Sequence, residues 1–383
     1  MGSHSGFLPD YISSCFREDE RLRSVDDDQN RRDFDLLGFG KRFWIHLCVT
    51  LSVLVMTLGI WPQRVIGSYE LTSFSQRSFA SQLSSSYAAL GDSYSSGQGN
   101  GSYYQGTNTP TDRCHRSPVA YDPELAAKYH VGSFSFVACS GAVTADLFAS
   151  NHMYPSEPAQ LTSLTTKTSA VTLTIGGNDV GFAQILAACV WGIGYGAPGC
   201  SHNPAVTEMV SYDLNALANL SPSCPTSNLP ISKASSTPIT SWLCVLLAIH
   251  EAAPNAVVDL VGYPQLFANF SDPTCQVGSL DGFYPLFVSS SDARWLNSVA
   301  LEGMNDEKAA VAAAQKMGVP AIVTDVNQVF YTHRFCDSAK LFFHPLTLTT
   351  SFFGTVASPG SMHPNSDGVA AYVSAIEQSV AKR

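Results

Sequence analysis

The chain has 383 residues, of which 45% are hydrophobic and only 14% are charged. That is enough apolar material to bury a large core in one or two domains. The formal net charge of −10 at pH 7 argues against a nucleic-acid partner, because phosphates demand a positively charged face.

The first 62 residues differ in composition from the rest. Residues 1–42 are polar and mixed in charge, which predicts a disordered tail. Residues 43–62 carry no charged side chain, with Trp44 and Trp61 near the ends, and predict a transmembrane signal-anchor. A cleaved signal peptide normally places its apolar stretch nearer the N-terminus. We therefore expect a type II membrane protein of the secretory pathway with a lumenal or extracellular body, or a secreted protein if the segment is cleaved.

Residues 63–86 are rich in serine and predict a flexible stem, which leaves residues 87–383 as the folded body. The body has an even number of cysteines without the spacing of a zinc site, so we expect disulfides and no metal. Cys15 and Cys48 lie outside the body. Its cysteines are Cys114, Cys139, Cys189, Cys200, Cys224, Cys244, Cys275 and Cys336, and its glycosylation sequons begin at Asn100, Asn219 and Asn269.

Five apolar, β-branched runs of the body end in glycine or polar residues. A helical pattern that stops at Gly318 lies between the last two runs, and another follows His363. This alternation predicts an α/β fold, a three-layer α/β/α sandwich with a central parallel sheet of about five strands. The segment from Cys189 to Trp242 is expected to be irregular. The runs are "SYAALGD", "SFSFVACSG", "AVTLTIGGND", "NAVVDLVGYP" and "VPAIVTDV".

Chemically useful residues follow three of these strands. Ligands of a parallel sheet bind beyond the carboxyl ends of its strands. Ser93 follows the first run, Gly141 the second and Asn178 the third, while His363 precedes the last helix. A histidine can take the proton of a serine nucleophile, and a glycine N–H and an asparagine amide can hold an oxyanion. Each motif alone is as readily a turn or a helix cap, but together they predict an acyl-transfer site.

The blocks "GDSYSSG", "ACSGA", "TIGGNDVGF" and "MHPN" carry a family resemblance. Over about residues 87–383 the chain resembles the SGNH (GDSL) hydrolase superfamily, with its flavodoxin-like sheet, and most closely the secreted actinobacterial lipase/esterases. The resemblance implies a nucleophilic Ser93, a catalytic His363, and an oxyanion hole formed by the Ser93 backbone N–H, Gly141 and Asn178. It also implies that no cofactor is needed. The disulfides that it implies are Cys114–Cys139, Cys189–Cys200 and Cys275–Cys336, which leaves Cys224 and Cys244 to pair.

The chain departs from the family pattern at the third member of the triad. The usual aspartate, three residues before the histidine, is Gly360 here. Some actinobacterial relatives use a main-chain carbonyl instead, and we predict that the Ser361 carbonyl orients His363. Asp337 and Asp367 are the alternative acids.

These observations favour a monomeric serine esterase or lipase that acts on a lipid or small acyl ester and contacts the membrane through residues 43–62. A polysaccharide O-deacetylase of the same superfamily is the second interpretation. A catalytically silent binding protein of the cell surface is the third.

Overall fold

The computed structural model of the protein describes residues 79–194, 199–351 and 354–381. The chain divides into two units, Met1–Phe74 and Ser75–Arg383, and all described residues belong to the second. Its helices are α1 (Phe79–Leu83), α2 (Ser93–Ser96), α3 (Tyr121–Lys128), α4 (Phe182–Gly194), α5 (Pro204–Leu217), α6 (Trp242–Ala252), α7 (Ser290–Lys316), α8 (Asn327–Phe330) and α9 (Ser366–Ala381). Its strands are β1 (Ser86–Gly91), β2 (Ser133–Phe136), β3 (Ala170–Thr174), β4 (Val257–Val261), β5 (Thr274–Leu280), β6 (Tyr284–Ser289), β7 (Ala321–Thr324), β8 (Leu346–Ser351) and β9 (Gly354–Ala357).

The core of the described unit is a five-stranded parallel sheet in the order β2-β1-β3-β4-β7. Every residue of β3 is buried, as expected for a strand covered by helices on both faces. On the helical layers, α6 packs against α7 and β4, while α9 packs against α3 and β7. All five predicted strands are present, and the predicted α/β fold is confirmed.

The long and closing helices lie where the sequence predicts them, with one difference at a boundary. The φ of Gly318 is +88°, and it follows the end of α7 by two residues. A proline favours the first turn of a helix, so the sequence predicts that α9 starts at Pro364, but the helix begins at Ser366. The reason is that the Asn365 side chain accepts hydrogen bonds from the backbone N–H groups of Asp367 and Gly368, which caps the helix there.

Two parts of the fold differ from the sequence-based expectation. A second sheet, β6-β5-β8-β9, has no counterpart among the predicted strands. The residues of β5 and β6 are mostly half-buried or exposed, so these strands lack the buried apolar runs that mark the central sheet. The segment expected to be irregular contains α5, which begins with an Asn203 cap and Pro204 in the first turn.

The chain is already folded before the first strand. The helix α1 lies within the predicted stem, and its Phe79 and Leu83 are buried in the core. The predicted tail (1–42), the predicted span (43–62) and the rest of the stem up to residue 78 lie outside the described residues, as do Cys15 and Cys48. Among the helices that the structure describes, none combines the length and the apolar character needed to cross a membrane.

Candidate active site

The first strand ends at the turn that carries Ser93. β1 runs into Asp92 and then into the short helix α2. The buried Asp92 side chain accepts hydrogen bonds from the Tyr94 backbone N–H (3.0 Å), the Thr174 hydroxyl (2.8 Å) and the Tyr263 hydroxyl. Burial raises the pKa of Asp92 to about 6. These contacts fix the backbone of Ser93 at the carboxyl edge of the sheet, where ligands of parallel sheets bind.

The loop between β9 and α9 brings His363 to Ser93. The Ser93 hydroxyl lies 2.8 Å from His363 Nε2, and the Ser361 carbonyl oxygen lies 2.9 Å from Nδ1. Since a carbonyl oxygen can only accept, Nδ1 carries the proton and Nε2 accepts from the serine hydroxyl. Burial lowers the pKa of His363 to about 4, which keeps the ring neutral at pH 7. The pair has the geometry that a general base and its nucleophile need.

The two alternative acids have partners elsewhere. Asp337 accepts hydrogen bonds from the backbone N–H and Nε of Arg334, each at 3.0 Å. Asp367 is partly exposed and pairs with Lys340 Nζ at 2.5 Å. Within the described residues, no carboxylate forms a hydrogen bond with His363.

Gly360 stands where the family pattern has its aspartate, and it is in close contact with Gly99. A Cβ atom on Gly360 would lie 2.8 Å from the Gly99 Cα atom, so any side chain would displace the neighbouring loop. The Gln98 amide donates to the Pro359 carbonyl and holds the two loops together. An aspartate at position 360 would therefore require the Gly99 loop and the Gly360 loop to pack differently.

Gly141 and Asn178 lie on neighbouring loops, after β2 and β3. The φ of Gly141 is +83°, a left-handed conformation that favours glycine. Asn178 Nδ2 donates to the Ala142 carbonyl at 2.9 Å, which fixes the amide and leaves its second N–H available. For the backbone N–H groups of Ser93 and Gly141, the described part of the chain offers no hydrogen-bond acceptor.

Asp179, the residue after Asn178, ties these two loops together. Its buried carboxylate accepts from the Thr144 backbone N–H (3.0 Å) and from the Thr144 hydroxyl (2.6 Å). Burial raises the pKa of Asp179 to about 7. Because Thr144 follows Gly141 by three residues, this contact sets the spacing between the Gly141 loop and the Asn178 loop.

An apolar cleft opens beside Ser93 and Asn178, with an empty volume of about 940 Å³ when its open mouth is included. One wall comes from α7, and others come from α4, α5 and α6. Asp92 and Glu307 supply the carboxyl groups among the lining residues. A lining of this kind suits a hydrocarbon chain better than a sugar. Its larger apolar members are Val180, Phe182, Ile185, Leu214, Trp242, Leu266, Leu296, Val299 and Met304.

The chain is similar to proteins of known activity. It is 31% identical over 283 residues to a lipase from Streptomyces rimosus, which covers 74% of this chain and 81% of that protein. The solved extracellular lipase from Streptomyces rimosus is 27% identical, with a TM-score of 0.52 over 77% of this chain and 99% of that chain. Phospholipase A1 from Streptomyces albidoflavus NA297 is 26% identical, with a TM-score of 0.52 over 78% and 99%. No family model matches the chain.

The chain belongs to the SGNH hydrolase superfamily. The resemblance seen in the sequence is thereby confirmed. As an SGNH hydrolase of the lipase/esterase type, the protein is a carboxylic ester hydrolase.

The comparison with SGNH lipases corrects the transmembrane signal-anchor that the sequence predicted over residues 43–62. The related lipase from Streptomyces rimosus is an extracellular protein. An apolar run without charges is common to membrane anchors and to secretory signals, so hydropathy alone misassigned this segment. The predicted membrane contact of the protein depended on the same assignment and is withdrawn with it.

Four disulfides crosslink the described part of the SGNH domain: three have the partners that the family resemblance implies, and the fourth joins the two cysteines that it leaves over. Cys114–Cys139 lies just before the Gly141 loop, and Cys275–Cys336 joins β5 to the segment after α8. The others are Cys189–Cys200 and Cys224–Cys244.

The sequons of the SGNH domain differ in accessibility. Asn219 and Asn269 are exposed. Asn100 is half-buried, and its amide nitrogen donates to the Pro364 carbonyl at 3.1 Å, next to His363. A glycan on Asn100 would break this contact, so the structure disfavours that sequon.

Sequence reasoning missed several residues of the SGNH site. Asp92 stands inside the "GDS" block and could have been found there. Tyr263 follows the end of β4 by two residues, so the rule that led to the first three strand ends would have led to it as well. Trp242 packs on Gly176 and donates to the Ile175 carbonyl at 2.9 Å, a long-range contact without a local sequence signal. Glu307 lies on a helix whose pattern marks it only as a core-facing position.

Proposed function

We propose that the protein is a serine esterase or lipase in which Ser93 attacks the ester carbonyl while His363 takes its proton. The observation that carries the proposal is the 2.8 Å contact between Ser93 Oγ and His363 Nε2 at an apolar cleft. His363 then gives the proton to the departing alcohol oxygen, which leaves an acyl group on Ser93. Water, activated by the same histidine, releases the carboxylic acid and restores the serine hydroxyl.

The negative charge that develops on the carbonyl oxygen needs donors already in place. We assign this role to the backbone N–H groups of Ser93 and Gly141 and to the free amide N–H of Asn178. Support comes from the lack of an acceptor for the two backbone groups in the described part of the chain and from the Ala142 contact that fixes Asn178.

The imidazole works without a carboxylate in this proposal. The Ser361 carbonyl holds Nδ1–H, and therefore the tautomer and orientation of the ring. A carbonyl stabilises the transient imidazolium less than a carboxylate would, but burial keeps the resting ring neutral and ready to accept a proton.

The apolar cleft indicates that the acyl group is a hydrocarbon chain rather than acetate on a polysaccharide. Burying each methylene contributes about 0.8 kcal/mol, so the cleft favours longer acyl chains. A lipid ester agrees with the lipase and phospholipase A1 activities of the similar Streptomyces proteins. The Ser93–His363 hydrogen bond argues against a catalytically silent binding protein.

We also infer that the protein is secreted, on the precedent of the extracellular Streptomyces rimosus lipase. Its catalytic domain comprises residues 87–383 together with α1, and it works as a monomer. The exposed Asn219 and Asn269 are the sequons that a glycosylating host would modify.

Ser93→Ala and His363→Ala test the proposal on p-nitrophenyl esters from acetate to palmitate, with acetylated xylan and phospholipid in parallel. Turnover should fall at least about 10⁴-fold in each variant, because the members of such a pair act as a unit. Retained circular dichroism shows that the fold is intact. Near-normal turnover of Ser93→Ala, or hydrolysis of acetylated xylan alone, would contradict the proposal.

A further inference from the structure

A buried carboxyl group without a partner lines the apolar cleft. Glu307 is 1% exposed and lies on the core-facing side of α7, one turn after Met304. Its Oε2 atom has no hydrogen-bond partner among the described residues. A lone buried polar group of this kind is costly, because it loses its water without gaining a substitute. Native folds retain such groups where something else binds them.

The backbone groups of Gly262 beside this carboxyl have partners of their own. A Cβ atom on Gly262 would lie 3.1 Å from Glu307 Oε2, so the carboxyl is next to the end of β4. The Gly262 N–H already donates to the Thr324 carbonyl, and the Gly262 carbonyl already accepts from the Tyr372 hydroxyl at 3.1 Å.

Among the described residues, no cation forms an ion pair with this carboxyl. Lys308 is the cation that acts on Glu307, but it pairs with Asp325 at 2.6 Å. Burial raises the pKa of Glu307 well above its usual value, and the charges of Asp325 and Asp92 raise it further. Burial therefore favours the neutral acid, whose O–H group can donate a hydrogen bond.

Glu307 lines the same cleft as Ser93, so an acyl chain bound there displaces whatever water the acid holds. A plain alkyl chain would leave the O–H unpaired, whereas a chain with an oxygen at that depth would accept its hydrogen bond. Sites that present a polar group to the substrate discriminate strongly against analogues that cannot pair with it.

We propose that Glu307 selects esters whose acyl chain carries a hydrogen-bond-accepting oxygen, such as a hydroxyl, keto or ether group. This inference rests on the proposed function, because it assumes that the acyl group of the Ser93 reaction occupies the cleft. Glu307 is then a specificity-determining residue that touches the chain away from the reacting carbonyl.

The test compares p-nitrophenyl octanoate with a series of octanoates in which an ether oxygen replaces each chain methylene in turn. The ratio of kcat/KM for each ether ester to that for octanoate is measured with the full chain. The same ratio is measured for hydroxide-catalysed hydrolysis, which reports the intrinsic reactivity of each ester. At one or two chain positions the wild-type ratio should exceed this reference by about tenfold or more. Glu307→Met, which is similar in length and apolar, should remove this preference, and Glu307→Gln, which can still donate, should retain most of it.

Glu302→Met, an exposed position of the same helix, is the matched control and should leave all ratios unchanged. If Glu307→Met fails to fold, the wild-type ratios alone decide, since a wild-type enzyme without the tenfold preference at any position overturns the proposal. Equal ratios in wild type and a folded Glu307→Met also overturn it and assign Glu307 to structure or to a bound water. Failure of the proposed function is distinct, because Ser93→Ala would then still hydrolyse octanoate.

Discussion

On the serine side of the site a buried carboxylate does the positioning, whereas on the histidine side backbone groups do it. Asp92 accepts three hydrogen bonds and holds the turn before Ser93. His363 instead donates its backbone N–H to the Gly360 carbonyl, accepts at its own carbonyl from the His344 N–H, and has Nδ1 against the Ser361 carbonyl.

This difference between side-chain and backbone support determines which substitutions the site tolerates. A side chain can be removed by mutation, but a backbone carbonyl cannot. We therefore expect side-chain substitutions to damage the serine side much more than the histidine side, His363 itself excepted. The close contact of Gly360 with Gly99 supports this view, because it leaves no room for an acid on the histidine side.

Apart from replacement of Ser93 or His363 themselves, the largest effect is expected for Asn178→Ala. Removing one oxyanion donor commonly lowers kcat about 10²–10³-fold, because the donor acts mainly in the transition state. Steady-state kinetics on an octanoate ester measures the loss, with exposed Asn219→Ala as the control. A loss below about threefold would remove Asn178 from the oxyanion hole.

Asp92→Asn should have the next largest effect. A neutral amide oxygen cannot replace the carboxylate towards both the Thr174 and Tyr263 hydroxyls, and the amide NH₂ faces donors. We expect kcat to fall about tenfold or more and the free energy of unfolding to fall by about 1–3 kcal/mol. Urea unfolding measures the free energy and steady-state kinetics measures kcat. Tyr263→Phe removes one of the contacts, so both quantities should lie between those of wild type and Asp92→Asn. An Asp92→Asn enzyme with full activity and stability would show that backbone contacts hold the serine side as well.

The acid limb of the pH profile of kcat/KM tests the histidine side of the site. Burial lowers the pKa of His363 to about 4, with smaller lowering effects from His344 and His115, while the Ser361 carbonyl raises it. Because the neutral ring is the base, protonation of His363 should abolish kcat/KM only as the pH passes through about 4. Protonation of Asp92 near pH 6 should cause a smaller fall of about tenfold, which the Asp92→Asn variant lacks. Complete loss of activity around pH 6 in a folded Asp92→Asn enzyme would contradict this account.

The smallest effect is expected for Asp337→Asn and Asp367→Asn, tested separately. Each carboxylate pairs with a cation rather than with His363, so turnover per folded enzyme should change by less than about threefold. A fall of about 10⁴ in either variant is the loss seen when a triad aspartate is replaced. That result would make the residue the missing acid and would end the claim of backbone support.

The sequence predicts the parts of this molecule that local patterns encode. The buried strands of the central sheet are continuous apolar runs, and Ser93, Gly141 and Asn178 follow directly from their ends. The second sheet has no such runs, and the asparagine cap that starts α9 at Ser366 competes with an equally plausible proline start. The roles of Trp242 and Glu307 depend on contacts between residues far apart in the chain, so spacing alone does not disclose them.

The most direct test of the central claim is covalent labelling with a fluorophosphonate, followed by peptide mapping. The serine oxygen attacks phosphorus and displaces fluoride while the histidine takes the hydroxyl proton, so the labelling rate reports the Ser93–His363 pair without any assumption about the substrate. We predict a single adduct on Ser93, formed at similar rates in wild type, Asp337→Asn and Asp367→Asn, and none in Ser93→Ala. An adduct on another serine, or labelling of Ser93 that slows by about 10⁴ in either aspartate variant, would contradict a Ser–His pair supported by the Ser361 carbonyl.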